Sequence, residues 1–203
     1  KLNFAFITII GFMLISTVIA FISLSTIESK LDEALNNRVQ QIKMVDDIRV
    51  NLGMQGLYAR ALIIDPTEAN KNNLKTYAEA LDKNLEDLEG LITNAQMTEL
   101  RNEMLQHNDN FNKYMEELIV TIDQGQTEMA NIIVTGKLQD ANVNILSLAK
   151  EMLEFQNLKL EEITKDTETN VSVSKTVVIV MLGLAVMVGI FIIIVVRKMI
   201  TRP

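Results

Sequence analysis

The sequence predicts an all-α protein: an antiparallel up-down-up-down four-helix bundle carried on two transmembrane helices. Three observations predict it. Two stretches of more than 20 residues carry no charge, one from Leu2 to Ile27 and one from Thr176 to Val196. The segment between them repeats apolar residues at three- and four-residue spacing, with no alternating runs of the kind a strand needs. Breaks near residues 65, 94 and 125 cut that segment into four helical pieces.

At 1.5 Å per residue, an uncharged helix of this length crosses a hydrocarbon core about 30 Å thick. A buried core helix is shorter and carries polar residues along one stripe. The first stretch also exceeds the apolar core of a cleaved signal peptide and leads straight into a helical pattern, so it reads as a retained span. Because the chain starts at Lys1 rather than Met, a few native residues are expected to have been trimmed. Arg197, Lys198 and Arg202 follow the second stretch, and Lys1 precedes the first. Short basic flanks stay in the cytoplasm. Both termini are therefore expected inside the cell membrane. The expected division is a first span at 1–27, an outer helical domain at 28–175, a second span at 176–196 and a cytoplasmic start of a linker at 197–203.

The outer segment holds all 26 acidic residues and 15 basic ones, a net charge of −11. An acidic surface argues against nucleic acid as a partner and against lying on anionic lipid. The chain has no cysteine, which excludes disulfides, thiolate metal sites and cysteine nucleophiles. It has no glycine-rich phosphate loop and no nucleophile elbow. His107 is the only histidine, so no metal site is expected, an all-carboxylate one being the sole metal chemistry left open. No catalytic residues and no cofactor are expected.

The outer segment contains one proline, Pro66, and five glycines. The first helix continues out of the span with Leu31, Leu35, Ile42, Val45, Leu52, Gly56, Ala59 and Ile63 on one stripe, interrupted by Arg38 and Arg49. It stops before Asp65-Pro66. Asp65 is the expected N-cap of the second helix, with Pro66 in the first helical position and Glu68 three residues after the cap. Leu74, Ala78, Leu81, Leu85, Leu88 and Ile92 form its seam, and Thr93-Asn94 its closing turn. The third helix carries Met97, Met104, Asn108, Phe111, Met115, Leu118 and Ile122 until Asp123-Gln124-Gly125-Gln126 breaks it. A short piece is expected to end near Thr135-Gly136. The fourth helix then shows Leu138, Ala141, Ile145, Leu148, Met152 and Phe155, and runs without a breaker into the second span. The outer two helices are longer, roughly 57 Å against 40–45 Å for the inner two. Such a mismatch suits a bundle whose first and last helices reach the membrane.

The order span, four helices, span, basic flank resembles the sensor region of methyl-accepting chemotaxis proteins. Asp47-Ile48-Arg49-Val50-Asn51 resembles an Ile-Arg-x-Asn element common in that sensor family. Met199-Ile200-Thr201-Arg202-Pro203 resembles the opening of a HAMP linker. The resemblance covers the whole chain. It implies a homodimer packed through the first helices, with ligand pockets near the membrane-distal part of that interface. It also implies a small shift of the fourth helix and second span on binding, and cytoplasmic signalling partners that act on parts lying beyond this chain. The same sensor occurs on histidine kinases and cyclic-dinucleotide enzymes. Aspartate and serine receptors use a set of arginines on the first helix. This sequence offers Arg49 and Arg60 there, eleven residues apart with no third arginine between them, so amino-acid specificity is not carried over. The ligand, a small molecule or a ligand-binding protein, is unnamed by the sequence.

Arg49, Gly53, Gly56 and Arg60 are spaced i, i+4, i+7 and i+11, on one stripe of the first helix. Two interior glycines cost about 1 kcal/mol each relative to alanine. One reading makes the stripe a pocket, with Arg49 and Arg60 as anion clamps and Asn51, Gln55 or Tyr58 nearby. The other makes the glycines a close helix contact and pairs the arginines with neighbouring acids. Asn108 on the third seam is read as a register-fixing residue. The acids Glu161-Glu162 and Glu86-Asp87-Glu89 are read as solvated faces, and the seam methionines as core filler. Ser16, Ala20 and Ser23, with Ala185 and Gly189, are small residues that allow close helix contact in lipid.

Overall fold

A computed structural model describes residues 2–200. Lys1, Thr201, Arg202 and Pro203, which carry part of the basic flanks and the end of the HAMP-like opening, lie outside the described residues. The described chain is helical nearly throughout, in the order α1 (Leu2–Asp32), a π-helical turn (Glu33–Arg38), α2 (Val39–Ile64), α3 (Glu68–Glu89), α4 (Ala95–Asp123), α5 (Thr127–Ile132), a second π-helical turn (Ile133–Leu138) and α6 (Gln139–Ile200). It falls into two compact units. One is Leu35–Leu160; the other joins the stretch up to Ala34 with the stretch from Glu161 onward.

Leu35–Leu160 is the four-helix bundle. Its first three helices are α2, α3 and α4. Its fourth is α5, the second π-helical turn and the start of α6 together. On α2 the buried residues are Gln41, Val45, Ile48, Leu52, Gln55, Ala59 and Leu62, alternating fours and threes without a slip. The expected stripe shares Val45, Leu52 and Ala59 with this seam. Its Ile42, Gly56 and Ile63 lie one position to the side and are only half buried. Leu31 and Leu35 are exposed. A π-helical turn holds one more residue than an α-turn, so apolar spacing read across Glu33–Arg38 loses its phase.

The seams of α3 and α4 follow the expected pattern except at their ends, where Ile92 lies beyond α3 and Thr121 is buried in place of Ile122, and the core forms two layers, each drawing on all four bundle helices. One centres on Leu52, Leu85, Met104 and Ile145. The other centres on Leu62, Leu74, Phe111 and Leu138. Two charged residues join the buried set. Arg101 donates through Nε to the Leu85 carbonyl (2.7 Å) and through Nη2 to Glu89 (2.7 Å). Lys71 donates to Glu68 (2.7 Å) and to Asp123, tying the start of α3 to the end of α4. Those carboxylates, Asp123 first, raise the Lys71 pKa above the ordinary lysine value. Both side chains lay their aliphatic stems on the core and keep the charge at its rim, which a hydrophobicity pattern does not register.

Two element ends differ from expectation. The N-cap of α3 is Thr67, whose hydroxyl accepts from the Asn70 N–H. Asp65 instead closes α2, its N–H donating to the Ala61 carbonyl (2.7 Å). Its own carbonyl accepts from the Thr67 N–H (2.8 Å) and from Asn70 Nδ2 (2.8 Å), so it serves the turn and not the helix after it. The break expected at Thr135-Gly136 is absent. The helix runs on through the π-helical turn Ile133–Leu138, which absorbs one extra residue while keeping Ile133, Val134 and Leu138 buried. The break at Asp123–Gln126 stands. Gly125 has φ of +70°, and Gln126 and Gly125 donate back to Thr121 (3.1 Å) and Ile122 (2.9 Å), the bonding of a Schellman stop. Asn94 caps α4 by accepting from the N–H groups of Gln96 and Met97.

The second unit pairs the two apolar stretches. Lys30 and Asp166 form an ion pair at 2.7 Å, and that hydrogen bond lowers the Asp166 pKa. Among the described residues, two helices are long and apolar enough to cross a membrane, and their most apolar windows bury none of their residues.

Candidate ligand-binding site

The stripe of Arg49, Gly53, Gly56 and Arg60 runs beside the α2 seam. Facing it are Val134 and Leu138 of the π-helical turn and Gln139, Asn142, Val143 and Leu146 of α6. Together with Leu52, Ala59 and Phe111 they line an open cleft of about 260 Å³, in which Arg49, Gly53, Arg60, Gln139, Val143 and Leu146 are exposed. The two glycines create the room. A Cβ at Gly53 would have no neighbour within 4 Å. A Cβ at Gly56 would lie 3.4 Å from Arg60 Nη1 and 3.7 Å from Asn142 Nδ2. Larger side chains here would fill the gap between α2 and α6 that the glycines leave.

The polar groups of the wall differ in how well they are satisfied. Arg49 donates to Asp46 at 2.8 Å, three residues back on its own helix. Arg60 donates to the Gly56 carbonyl at 3.2 Å, four residues back. Both guanidiniums lean toward the N-terminus of α2, as helical side chains do. Asn142 Nδ2 donates to the Leu52 carbonyl at 3.3 Å. A carbonyl only accepts, so this bond fixes which way the carboxamide points. Asn142 Oδ1 is then buried with no hydrogen-bond partner.

Asn51, Gln55 and Tyr58 belong elsewhere. Asn51 is half buried and lines none of the cavity wall. Gln55 is buried and donates to the Tyr77 carbonyl of α3 at 3.1 Å. Tyr58 stacks on Tyr77 with ring centres 5.6 Å apart. Asn108, on the α4 seam, donates to Asp82 of α3, as does Asn112 (3.0 Å). His107 borders a shallow groove with Tyr114, Asp140 and Asn144, where the Lys137 ammonium sits 5.1 Å above the Tyr114 ring. The sequence reading missed Gln139, Asn142, Val143 and Leu146. The available signal was a polar residue directly beside the Ala141–Ile145 seam.

The arrangement can hold a small molecule between two helices of one bundle; it offers no nucleophile and base in contact. Residues 1–171 match the family described as a four helix bundle sensory module for signal transduction, and the chain belongs to that family. No curated protein matches the chain.

Proposed function

We propose that this chain is the ligand-sensing and transmembrane signalling region of a bacterial chemoreceptor. A ligand enters the cavity between α2 and α6, favours one packing of the bundle, and so biases a two-state equilibrium by its differential affinity. The change passes along the fourth helix and the second span to a cytoplasmic output module beyond Pro203. The output is mechanical and the chain performs no catalysis. The observation that carries this reading is the cavity itself, whose far wall belongs to α6, a single helix from Gln139 to Ile200 that includes the second uncharged stretch.

Arg197 and Lys198 support a cytoplasmic end for that helix by the positive-inside rule. A homodimer is supported by α2, where Val50, Leu57 and Ile64 are all exposed at seven-residue spacing, an apolar stripe suited to a second copy. The native coding sequence after Pro203 tests the proposal. A HAMP-like helix pair leading to a long coiled-coil hairpin bearing glutamine and glutamate is the expected result. A phosphoacceptor histidine with an ATP-binding domain, or a nucleotide cyclase, would keep the sensor and replace the chemoreceptor. No output module at all would end the signalling reading.

A further inference from the structure

The buried core of the bundle ends on a polar layer, where α2 begins and α6 leaves. Among the described residues, Gln41 is the first buried residue of α2 and Gln156 the last of α6. Gln156 Nε2 donates to Gln41 Oε1. Gln41 Nε2 donates to the Leu91 carbonyl of the α3–α4 turn (2.6 Å) and to Asn37 Oδ1. Arg38 Nη1 donates to Gln156 Oε1 at 3.3 Å. Asn37 and Arg38 close the first π-helical turn. A primary amide has two N–H groups and one oxygen, and in Gln41 both the nitrogen and the oxygen are engaged. One layer thus joins the start of α2, the α3–α4 turn and α6.

The contacts of α6 resist displacement unequally. Apolar contact is non-directional, and in apolar packing the register depends on how side chains interlock as knobs in holes. The buried seam of α6 is Ala141, Ile145, Ala149, Met152 and Gln156, with alanine at two of its five places, where α3 buries four leucines. Its apolar keying is shallow. A hydrogen bond, by contrast, is lost when donor and acceptor part by about 1 Å. Asn142 donates to the Leu52 carbonyl at 3.3 Å, but α2 presents a carbonyl at every residue, so that bond can re-form after a shift. Gln55, the other buried glutamine of α2, bonds to Tyr77 of α3. The Gln41–Gln156 pair admits one position, because the acceptor on α2 is itself held by Leu91 and Asn37.

We propose that this amide layer is a register latch. It holds α6 at one axial and rotational position against α2 and the α3–α4 turn, and a movement of α6 has to break it first. Its use in setting how readily a signal passes rests on the function proposed above; the latch itself is a property of the bundle. It specifies position more than stability. Replacing both partners of a buried polar pair by apolar groups of the same shape is nearly neutral. Asn37, Arg38 and Leu91 are only half buried, so water can take over their bonds.

The test is a spin-label distance measurement on the full chain in lipid nanodiscs, diluted with unlabelled chain so that each measured pair lies within one chain. The chain has no cysteine of its own. Labels on the exposed positions of Lys43→Cys in α2 and Ser147→Cys in α6 report the register. Without the double replacement, one narrow distance is expected. With Gln41→Met and Gln156→Met together, the distribution is expected to broaden at least about twofold or to move by about 1.5 Å, one residue's rise, while the melting temperature stays within about 5 °C. Gln156→Asn keeps an amide but loses the reach to Gln41, and is expected to give the same loss of register. A double variant whose distances superimpose on the unsubstituted chain overturns the latch. So does one that fails to fold, since the layer would then carry stability; in that case unchanged distances in Gln156→Asn would exclude a register role as well. Each of these results leaves the signalling proposal standing, because that proposal is tested by the output module encoded after Pro203.

Discussion

Gly53 and Gly56 are the residues at which the physics of folding and of binding pull apart. Interior helical glycines are unfavourable by about 1 kcal/mol relative to alanine, and neither position is forced to glycine by its backbone, since Gly125 alone among the described glycines has positive φ. At Gly53 the added methyl meets nothing within 4 Å. At Gly56 it meets Arg60 and Asn142 at ordinary contact distance. Gly53→Ala is therefore expected to stabilise the bundle by about 1 kcal/mol in denaturant unfolding. Gly56→Ala should stabilise it by no more than that, because its methyl enters the cleft against Arg60 and Asn142. A loss of stability at Gly53 would mean that α2 is packed against something there in solution, the close-contact reading of these glycines. The stripe was legible in the sequence because its four members share one helix and one spacing. Asn142 was not, because which face of a second helix comes opposite is decided by packing across the bundle. Asn51 lies off the cleft wall for a related reason: its place in a recognisable motif says nothing about the direction it faces.

The same limit appears among the elements. The seam of α3 was legible because apolar residues occupy every buried position after Lys71, and that of α4 because its apolar residues keep their spacing although Arg101, Asn108 and Thr121 share the buried face. The α2 seam was half legible, since Gln41 and Gln55 occupy two of its buried places. Gln41 donates to the Leu91 carbonyl at 2.6 Å and accepts from the buried Gln156, while Gln55 donates to the Tyr77 carbonyl and leaves its Oε1 without a partner, and nothing in the polarity of either marks it as inward. The π-helical turn at Ile133–Leu138 was misread as a break because Thr135-Gly136 looks like one. Its buried residues are Ile133, Val134 and Leu138, and Ile133 and Leu138, five apart, share a face only if a turn there is over-long. This yields a prediction. Deleting the exposed Thr135 removes the extra residue and lets the turn relax to α-helix with the seam on either side intact. Its cost is expected to stay within about 1 kcal/mol. Deleting the exposed Ser147 has no extra residue to remove. It rotates the downstream helix by about 100° and takes Ala149 and Met152 out of the core, a loss of about 2–5 kcal/mol for the methionine alone. Equal melting temperatures for the two deletions would contradict the π-helical assignment.

For the molecule as a whole, the question is what a 62-residue helix accomplishes that two shorter ones would not. A break between bundle and span would cost little in stability, because the fourth bundle helix already buries Ile145, Ala149 and Met152 and an apolar span is held by lipid regardless of its neighbours. On the proposed function, continuity serves signalling, where a rod transmits a small axial or rotational displacement that a flexible joint would dissipate. Inserting two glycines beside Asp166 separates the two roles. Glycine is the weakest helix former after proline, and two added residues turn the downstream helix by about 200°. In the native full-length receptor, the insertion should leave thermal unfolding of the bundle and ligand affinity unchanged while abolishing the ligand-dependent output. Inserting two alanines at the same position restores stiffness but keeps the 200° offset, so it distinguishes the two modes of transmission. Output rescued by alanine would assign the signal to axial displacement, which is indifferent to rotational phase. Output lost with both would assign it to rotation. Output intact with the glycines would remove the rod from the mechanism altogether, and the signal would then have to cross the membrane through the first span.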